Sequence, residues 1–373
     1  MIKIKFLFWF LIIFQSLVSE NYSFNIKVKI FEDDEIVIES IGQIIIRSAS
    51  GKSYYTGLLP NPIKAVCKNN NVVINAVSCN TQKVRIKKLT SNSMIKINSR
   101  RYRGNIELFC LGNKIIAIEV LDNIEDYIKG IIKLEINPKW NVEAVKAQAI
   151  CSRTFAIGNM YTHSSEGYDF CSRPHCQVYG GYEAEDEAGN VAVDATRGFV
   201  MYYGEEIAEA YYCANNGGVT ALNSEVWERE ALPYFEIKND EYSLKGEYST
   251  FETFISFAEI NKLLNLNSTT LEIIPEEISP SGRILKSIIR YDGGREIVLT
   301  KNDIRKTLGY DRLRSSLFTI FIKDNGIYIV GRGWGHGVGL SQWGAKVMAD
   351  SGYTYQDIIN FYFPGISIRR LYY

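Results

Sequence analysis

Three histidines serve all 373 residues, and each stands where its chemistry can be used. His163 and His175 share a short segment with Cys171 and Cys176. Two imidazoles and two thiolates make a normal ligand set for tetrahedral zinc, and four protein ligands leave no open position, so such a site is structural. The spacing His163-x7-Cys171-x3-His175-Cys176 is not that of a zinc finger, and the adjacent His175–Cys176 pair needs a sharp turn, which Pro174 suits. Two other readings stay open: a Cys171–Cys176 disulfide, which leaves both histidines without a task, and plain packing. His336 lies in GRGWGHGVGLSQWGA, where glycines 331, 333, 335, 337 and 339 alternate with Arg332, Trp334, His336 and Val338. Glycine lets backbone come close to a ligand or another strand. Trp334, His336, Gln342 and Trp343 therefore line a sugar groove or fill a tightly packed strand-to-helix corner. The same pair of readings applies to Asn215, Gly217, Gly218 and Thr220. A phosphate loop is not expected, because no Rossmann unit surrounds the glycines. Glu135 stands at a helix break in IEDYIKGIIKLEINPKWNVEAVKAQAICSRTFAI; it is either a catalytic acid or a solvated helix-end carboxylate.

The elements that must position these groups follow from periodicity. From Asn25 to about Val120, short alternating runs such as IKVKIF, EIVIES and KVRIKKL are parted by turn formers, which reads as antiparallel β structure. Ile124, Tyr127, Ile128, Ile131 and Ile132 then recur at helical spacing. Asn123 caps that helix, and Pro138 ends it. A second helix starts near Asn141, with Val142, Val145, Ala149 and Ile150 on its buried face. Arg153, on this helix, reads as a buried ion-pair partner in preference to a groove residue. Two strands and a turn at Asn215–Gly218 follow. The region 250–330 carries the helix FAEINKLLN and a hairpin-like SGRILKSIIRYDGGREIVLT, and a last helix ends near Asp350. The expected fold class is α+β. It comprises an N-terminal segment 1–19, a β domain 25–121, a helical catalytic core 122–249, a mixed α/β insertion 250–330, and a Gly-rich strand and helix, 331–373, packing back on the core.

Three stretches together resemble the SpoIID/LytB family of stage II sporulation protein D and its amidase-enhancer relatives. They are EDYIKGIIKLEINPKWNVEAVKAQAICSRTFAI, YYCANNGGVTALNSEVWEREALPYF and GRGWGHGVGLSQWGAKVMADSGYTYQDIINFYFPGI. Their order and spacing carry the resemblance, which runs from about Ile26 to Ile366. One departure is Cys213, before ANNGG, where relatives commonly carry a hydroxyl residue or histidine. The resemblance implies an exported peptidoglycan enzyme, a lytic transglycosylase that cuts the MurNAc–GlcNAc bond and leaves a 1,6-anhydro end. It carries the acid–base role to the Glu of the E-x-x-P element, here Glu135. That role requires a protonated acid, and Ile136, Trp140, Trp334 and Trp343 are candidates for an apolar wall around it. The amidase-enhancer members imply the alternative of a glycan-binding partner for a cell-wall amidase.

Composition bounds these readings. Lys plus Arg equals Asp plus Glu, 42 each, so bulk charge predicts no nucleic-acid partner. A zinc protease is excluded by the absence of a His-Glu-x-x-His helix. Lys3 and Lys5 precede an apolar run, Phe6–Phe14, in the layout of an export signal or short anchor, with Ser16 and Ser19 the best sites for cleavage. Seven cysteines are too many by one for complete pairing, and the spacing allows a Cys67–Cys79 bridge between adjacent strands.

Overall fold

Strict alternation of buried and outward residues, as in Ile26, Val28 and Ile30 of the first strand, builds two sheets from the N-terminal hundred residues. The computed structural model describes residues 25–267, 269–301 and 303–372; the expected export segment 1–19 lies outside them. Among the described residues no helix is long and apolar enough to cross a membrane. The protein is α+β, and its contacts divide it into two compact units. The first holds the chain up to Pro138, Asn159–Val200 and the residues from Arg369. The second holds Lys139–Gly158 and Met201–Ile368.

In the first unit a seven-stranded sheet runs, in spatial order, Phe170–Cys171, Ile26–Asp33, Lys114–Leu121, Asn105–Leu111, Lys83–Lys88, Ile44–Ser48 and Ser53–Gly57. All its neighbours pair antiparallel except the short Phe170–Cys171 strand, which runs parallel to Ile26–Asp33. A six-stranded sheet, from Arg100–Tyr102 through Glu35–Ile41 to Val77–Ser78, packs on its face. Asn69 and Asn70 both take positive φ, 50° and 59°, the I′ turn that joins a tight hairpin. The two sheets are stapled by a Cys67–Cys110 disulfide. The expected Cys67–Cys79 bridge does not form: Cys79 is a free, buried thiol.

The helix Ile124–Glu135 starts as its sequence implies, with the Asn123 side chain accepting from Asp126 N–H at 2.9 Å. Ile124, Tyr127, Ile128, Ile131 and Ile132 form its buried face, and Ile136 closes it in an extended conformation. Four attachments fix it. Glu125 accepts from Gly198 N–H at 3.0 Å and from the Tyr372 hydroxyl at 2.6 Å. Lys129 pairs with Asp194 at 2.8 Å. Gly189 of the Glu187–Ala195 helix lies so near that a Cβ there would come 2.8 Å from Ile132. Tyr179 packs directly on Gly130, where a Cβ would stand 2.3 Å from its ring.

Tyr179 in turn donates to Glu119 at 2.6 Å, and Gly104 N–H donates to the other carboxylate oxygen at 2.7 Å. Burial pushes the Glu119 carboxyl up to about 7, against these two hydrogen bonds. A carboxyl raised in the fold contributes stability that is full below its unfolded value and is lost as pH rises through the folded one. Glu119→Gln should therefore gain stability relative to the native protein as pH rises from about 5 to 8, by on the order of 3 kcal/mol at the limit. Parallel melting curves for the two proteins across that range would show that Glu119 does not titrate with folding.

In the second unit the helix Val142–Gly158 is buried on every side, from Ala144 round to Arg153. Val142, expected on the buried face, is 41% exposed, because it is the first helical residue and the packing begins a turn later. The helices Gln342–Asp350 and Tyr355–Tyr362 pack on this helix; the second of them was not anticipated. Residues 250–332 form two three-stranded antiparallel sheets around a core of Phe251, Ile255, Ile273, Ile289, Ile304 and Ile327. The expected helix and hairpin appear there as Phe257–Leu263 and as Ile284–Tyr291 with Arg295–Thr300.

Candidate functional site

Within the first unit, the chain from His163 to Cys176 brings four donor atoms within 4.8 Å of one another. Cys171 is placed by the pairing of its strand with Val28 and Lys29, over the Ile116 and Ile118 side chains. The Cys176 sulfur stands 3.4 Å from His163 Nε2 and 3.5 Å from His175 Nδ1. The Cys171 sulfur stands 4.0 Å from His175 Nδ1 and 3.5 Å from the Cys176 sulfur, unbonded to it. A tetrahedral ion with sulfur bonds of about 2.3 Å and nitrogen bonds of about 2.0 Å needs donor separations of roughly 3.3–3.8 Å. The four groups fit such an ion. Glu166, which the sequence reading missed although it lies three residues after His163, takes a hydrogen bond from His163 Nδ1 at 2.7 Å. That bond turns Nε2 toward the cluster, the usual way a carboxylate orients a ligating histidine. Tyr168 stacks on His163 and donates to Glu166 at 2.7 Å, which holds the carboxylate in turn.

Glu135, half-buried, is the last residue of its helix. The attachments of that helix give its carboxyl a fixed root, and Pro138 prevents the helix from running on.

In the second unit the two remaining sequence blocks are woven together. Asn215 and Trp334 exchange backbone hydrogen bonds at 3.0 and 2.7 Å, Ala221 N–H donates to Gly337, and Trp343 N–H donates to Ala214. Tyr212–Cys213 pairs in parallel with Leu340–Ser341. Gly333, Gly335, Gly337 and Gly339 all take positive φ. All four also allow close approach, most tightly at Gly337, where a Cβ would come 2.0 Å from the Arg283 guanidinium, and at Gly339, where one would come 2.1 Å from the Tyr211 carbonyl. The glycine alternation is thus a packing device. Arg283, which nothing in the sequence singled out, is 1% exposed and donates to the carbonyls of Asn216 and Val219. Burial pulls its guanidinium down to about 10.

This weave engages several residues expected at a sugar groove. Asn215 is fully buried and donates to the Ser243 and Glu247 carbonyls, both at 2.8 Å. Gly217 and Gly218 are buried, with Gly217 N–H on Asn215 Oδ1 at 2.8 Å. Thr220 donates to the Glu236 carbonyl at 2.6 Å. Gln342 is 7% exposed and donates to Gln148 at 3.3 Å. Arg153 is fully buried. Each of these groups is thus buried within the fold. Trp334 and Trp343 remain half-exposed.

His336 is half-buried, but its nitrogens face inward: Nδ1 accepts from Val338 N–H at 3.0 Å, and the ring also bonds the Tyr212 backbone. Its faces meet Trp227 and Tyr211. Burial, then the charges of Arg305 and Arg283, push its pKa down to about 3. A histidine depressed in the fold contributes stability that is full above its unfolded value and is lost as pH falls toward the folded one. The imidazole nitrogens thus latch two backbone segments together. His336→Ala should cost about 1–2 kcal/mol of stability, seen as a lower melting temperature, and leave glycan affinity within about twofold. A weakened affinity at unchanged melting temperature would restore the groove contact.

The family model for the stage II sporulation protein SpoIID matches residues 112–203. A second model, for the domain of unknown function DUF8618, matches residues 256–339. The chain is 30% identical over 275 residues to stage II sporulation protein D of Bacillus subtilis, covering 68% of this chain and 77% of that protein. It is 26% identical over 339 residues to the amidase enhancer of Bacillus subtilis, covering 78% of this chain and 47% of that protein. An uncharacterized protein of Brachyspira hyodysenteriae is 32% identical over 277 residues, with 73% of each chain covered. With the Glu135 helix inside the matched segment and the sporulation relative covered over three quarters of its length, the chain belongs to the SpoIID/LytB family.

Proposed function

We propose that this chain is an exported lytic transglycosylase of the bacterial cell wall, cleaving the MurNAc–GlcNAc bond of peptidoglycan with Glu135 as its single acid and base. The observation that carries the reading is the placement of Glu135, a half-buried carboxyl at the end of a helix held by buried hydrogen bonds to Glu125, an ion pair at Lys129 and close packing at Gly130 and Ile132. The Glu135 carboxyl gives its proton to the glycosidic oxygen as the C1–O bond breaks and positive charge develops at C1. The sugar's own C6 hydroxyl then bonds to C1, and its proton returns to the Glu135 carboxylate. The acid is regenerated, and no water is consumed. Intramolecular attack draws on proximity, so the second carboxylate of an ordinary glycosidase is not needed.

His163, Cys171, His175 and Cys176 would hold one zinc ion. Such an ion would supply no acid–base chemistry, because four protein ligands would close its coordination; it would tie the 161–181 loop to the sheet edge. A second reading, a glycan-binding enhancer of a cell-wall amidase, draws on the likeness to the amidase enhancer. Digestion of purified peptidoglycan followed by mass spectrometry separates the two. Glycan fragments ending in 1,6-anhydro-MurNAc are expected. Reducing MurNAc ends would show hydrolysis and sink the mechanism. Uncut glycan, with a cell-wall amidase accelerated by the added protein, would favour the enhancer.

A further inference from the structure

Within the second unit, a set of aromatic and cationic side chains has polar groups with no hydrogen-bond partner among the described residues. Tyr248 is 39% exposed, and its ring meets Trp334 edge-on at 4.7 Å between centroids. The Arg314 guanidinium lies 4.7 Å from the centre of the Trp334 ring and 5.8 Å from that of Tyr248. Among the described residues no carboxylate pairs with Arg314, whereas Arg229 pairs with Glu209 and Arg312 with Glu259. Backbone hydrogen bonds place the three residues. The Arg314 carbonyl accepts from Gly335 N–H at 2.8 Å and from the buried Arg305 guanidinium at 2.6 Å. Gly333 N–H donates to the Ser249 carbonyl at 3.0 Å, which fixes Tyr248 beside Trp334. A guanidinium held on an aromatic platform and left without a counter-charge is built for a ligand that presents a flat apolar face and a carboxylate together. A pyranose with a carboxylate substituent is such a ligand: its C–H face stacks on a ring, and its acid takes the planar fork of the arginine.

We propose that Tyr248, Trp334 and Arg314 form a subsite for one acidic sugar of a glycan strand freed of its stem peptides, in which Arg314 pairs with the lactyl carboxylate that MurNAc presents once the peptide amide is gone. This rests on the glycan reading above and adds to it the residue that tells MurNAc from GlcNAc. The preformed arrangement lowers the ordering cost of binding.

The test is made with the full chain carrying Glu135→Gln, so that ligand is not consumed. Binding of a (GlcNAc–MurNAc)2 tetrasaccharide is compared with binding of chitotetraose, which has the same backbone without the lactyl acid. The parent should prefer the acidic tetrasaccharide. Arg314→Ala should weaken the acidic ligand about tenfold and leave chitotetraose unchanged, the effect of one charge-assisted pair. Arg314→Lys, which keeps the charge and loses the fork, should recover part of that loss. Tyr248→Ala should weaken both ligands. Equal weakening of both ligands by Arg314→Ala, or no change in either, overturns the subsite, and Arg314→Gln repeats the comparison if the alanine variant melts early. Failure of the underlying reading looks different: a chain that binds as described yet releases no 1,6-anhydro product keeps the subsite and loses the transglycosylase.

Discussion

Replacing Glu135 with Gln is expected to abolish glycan cleavage and leave the protein folded. The variant keeps the shape and hydrogen-bonding span of the side chain and loses only the transferable proton. General acid–base groups are commonly worth factors of 10² to 10⁴, so turnover should fall by about a thousandfold, roughly 4 kcal/mol in the barrier. In a single-carboxylate mechanism one group serves both proton transfers, so no second carboxylate shares the loss. The helix that carries Glu135 is secured through Glu125, Lys129, Gly130 and Ile132, none of which the substitution touches. Melting temperature and affinity for a glycan oligomer should therefore stay close to the native values. Release of 1,6-anhydro ends, quantified by mass spectrometry, is the measurement. Native-like release by the variant would remove Glu135 from the chemistry and promote the enhancer reading.

The second large effect concerns the metal. Protein purified without added zinc should carry one zinc ion per chain by elemental mass spectrometry. Cys171→Ser should lose it and lower stability by about 2–3 kcal/mol, or roughly 5–10 °C, since a structural ion contributes to folding directly. Turnover per folded molecule should change far less than it does in Glu135→Gln. Glu166→Gln offers a finer probe: it leaves all four donors in place and disturbs only the orientation of His163, so metal affinity should drop by about 10- to 100-fold. A metal content near zero, together with a mapped Cys171–Cys176 disulfide, would replace the ion with a covalent clip.

What the sequence determined by itself was local. The Asn123 cap, the 3.6-residue recurrence of Ile124, Tyr127, Ile128, Ile131 and Ile132, and the Pro138 stop are decided within one helix by nearest-neighbour sterics and hydrogen bonding. The four donors from His163 to Cys176 were legible because their segment is short enough that one turn brings them together. Other outcomes depend on segments that are distant in the chain. Cys67 meets Cys110 and not Cys79, because a disulfide needs two Cβ atoms facing each other, and only the stacking of two sheets supplies that. Asn215, Gly217, Gly218 and Thr220 have the residue types of a sugar site, yet the exchange of hydrogen bonds between Asn215 and Trp334 buries them. His336 has the chemistry of a proton carrier, but Val338 and Tyr212 claim its nitrogens. Tyr248 and Arg314 carry no motif at all; they become a candidate subsite only because the backbone of Gly333 and Gly335 gathers them beside Trp334. Residue type and short-range spacing fix which chemistry is available. Burial and hydrogen-bond partners decide whether it is free to act, and both are set by contacts between segments far apart in the chain, which no local pattern encodes.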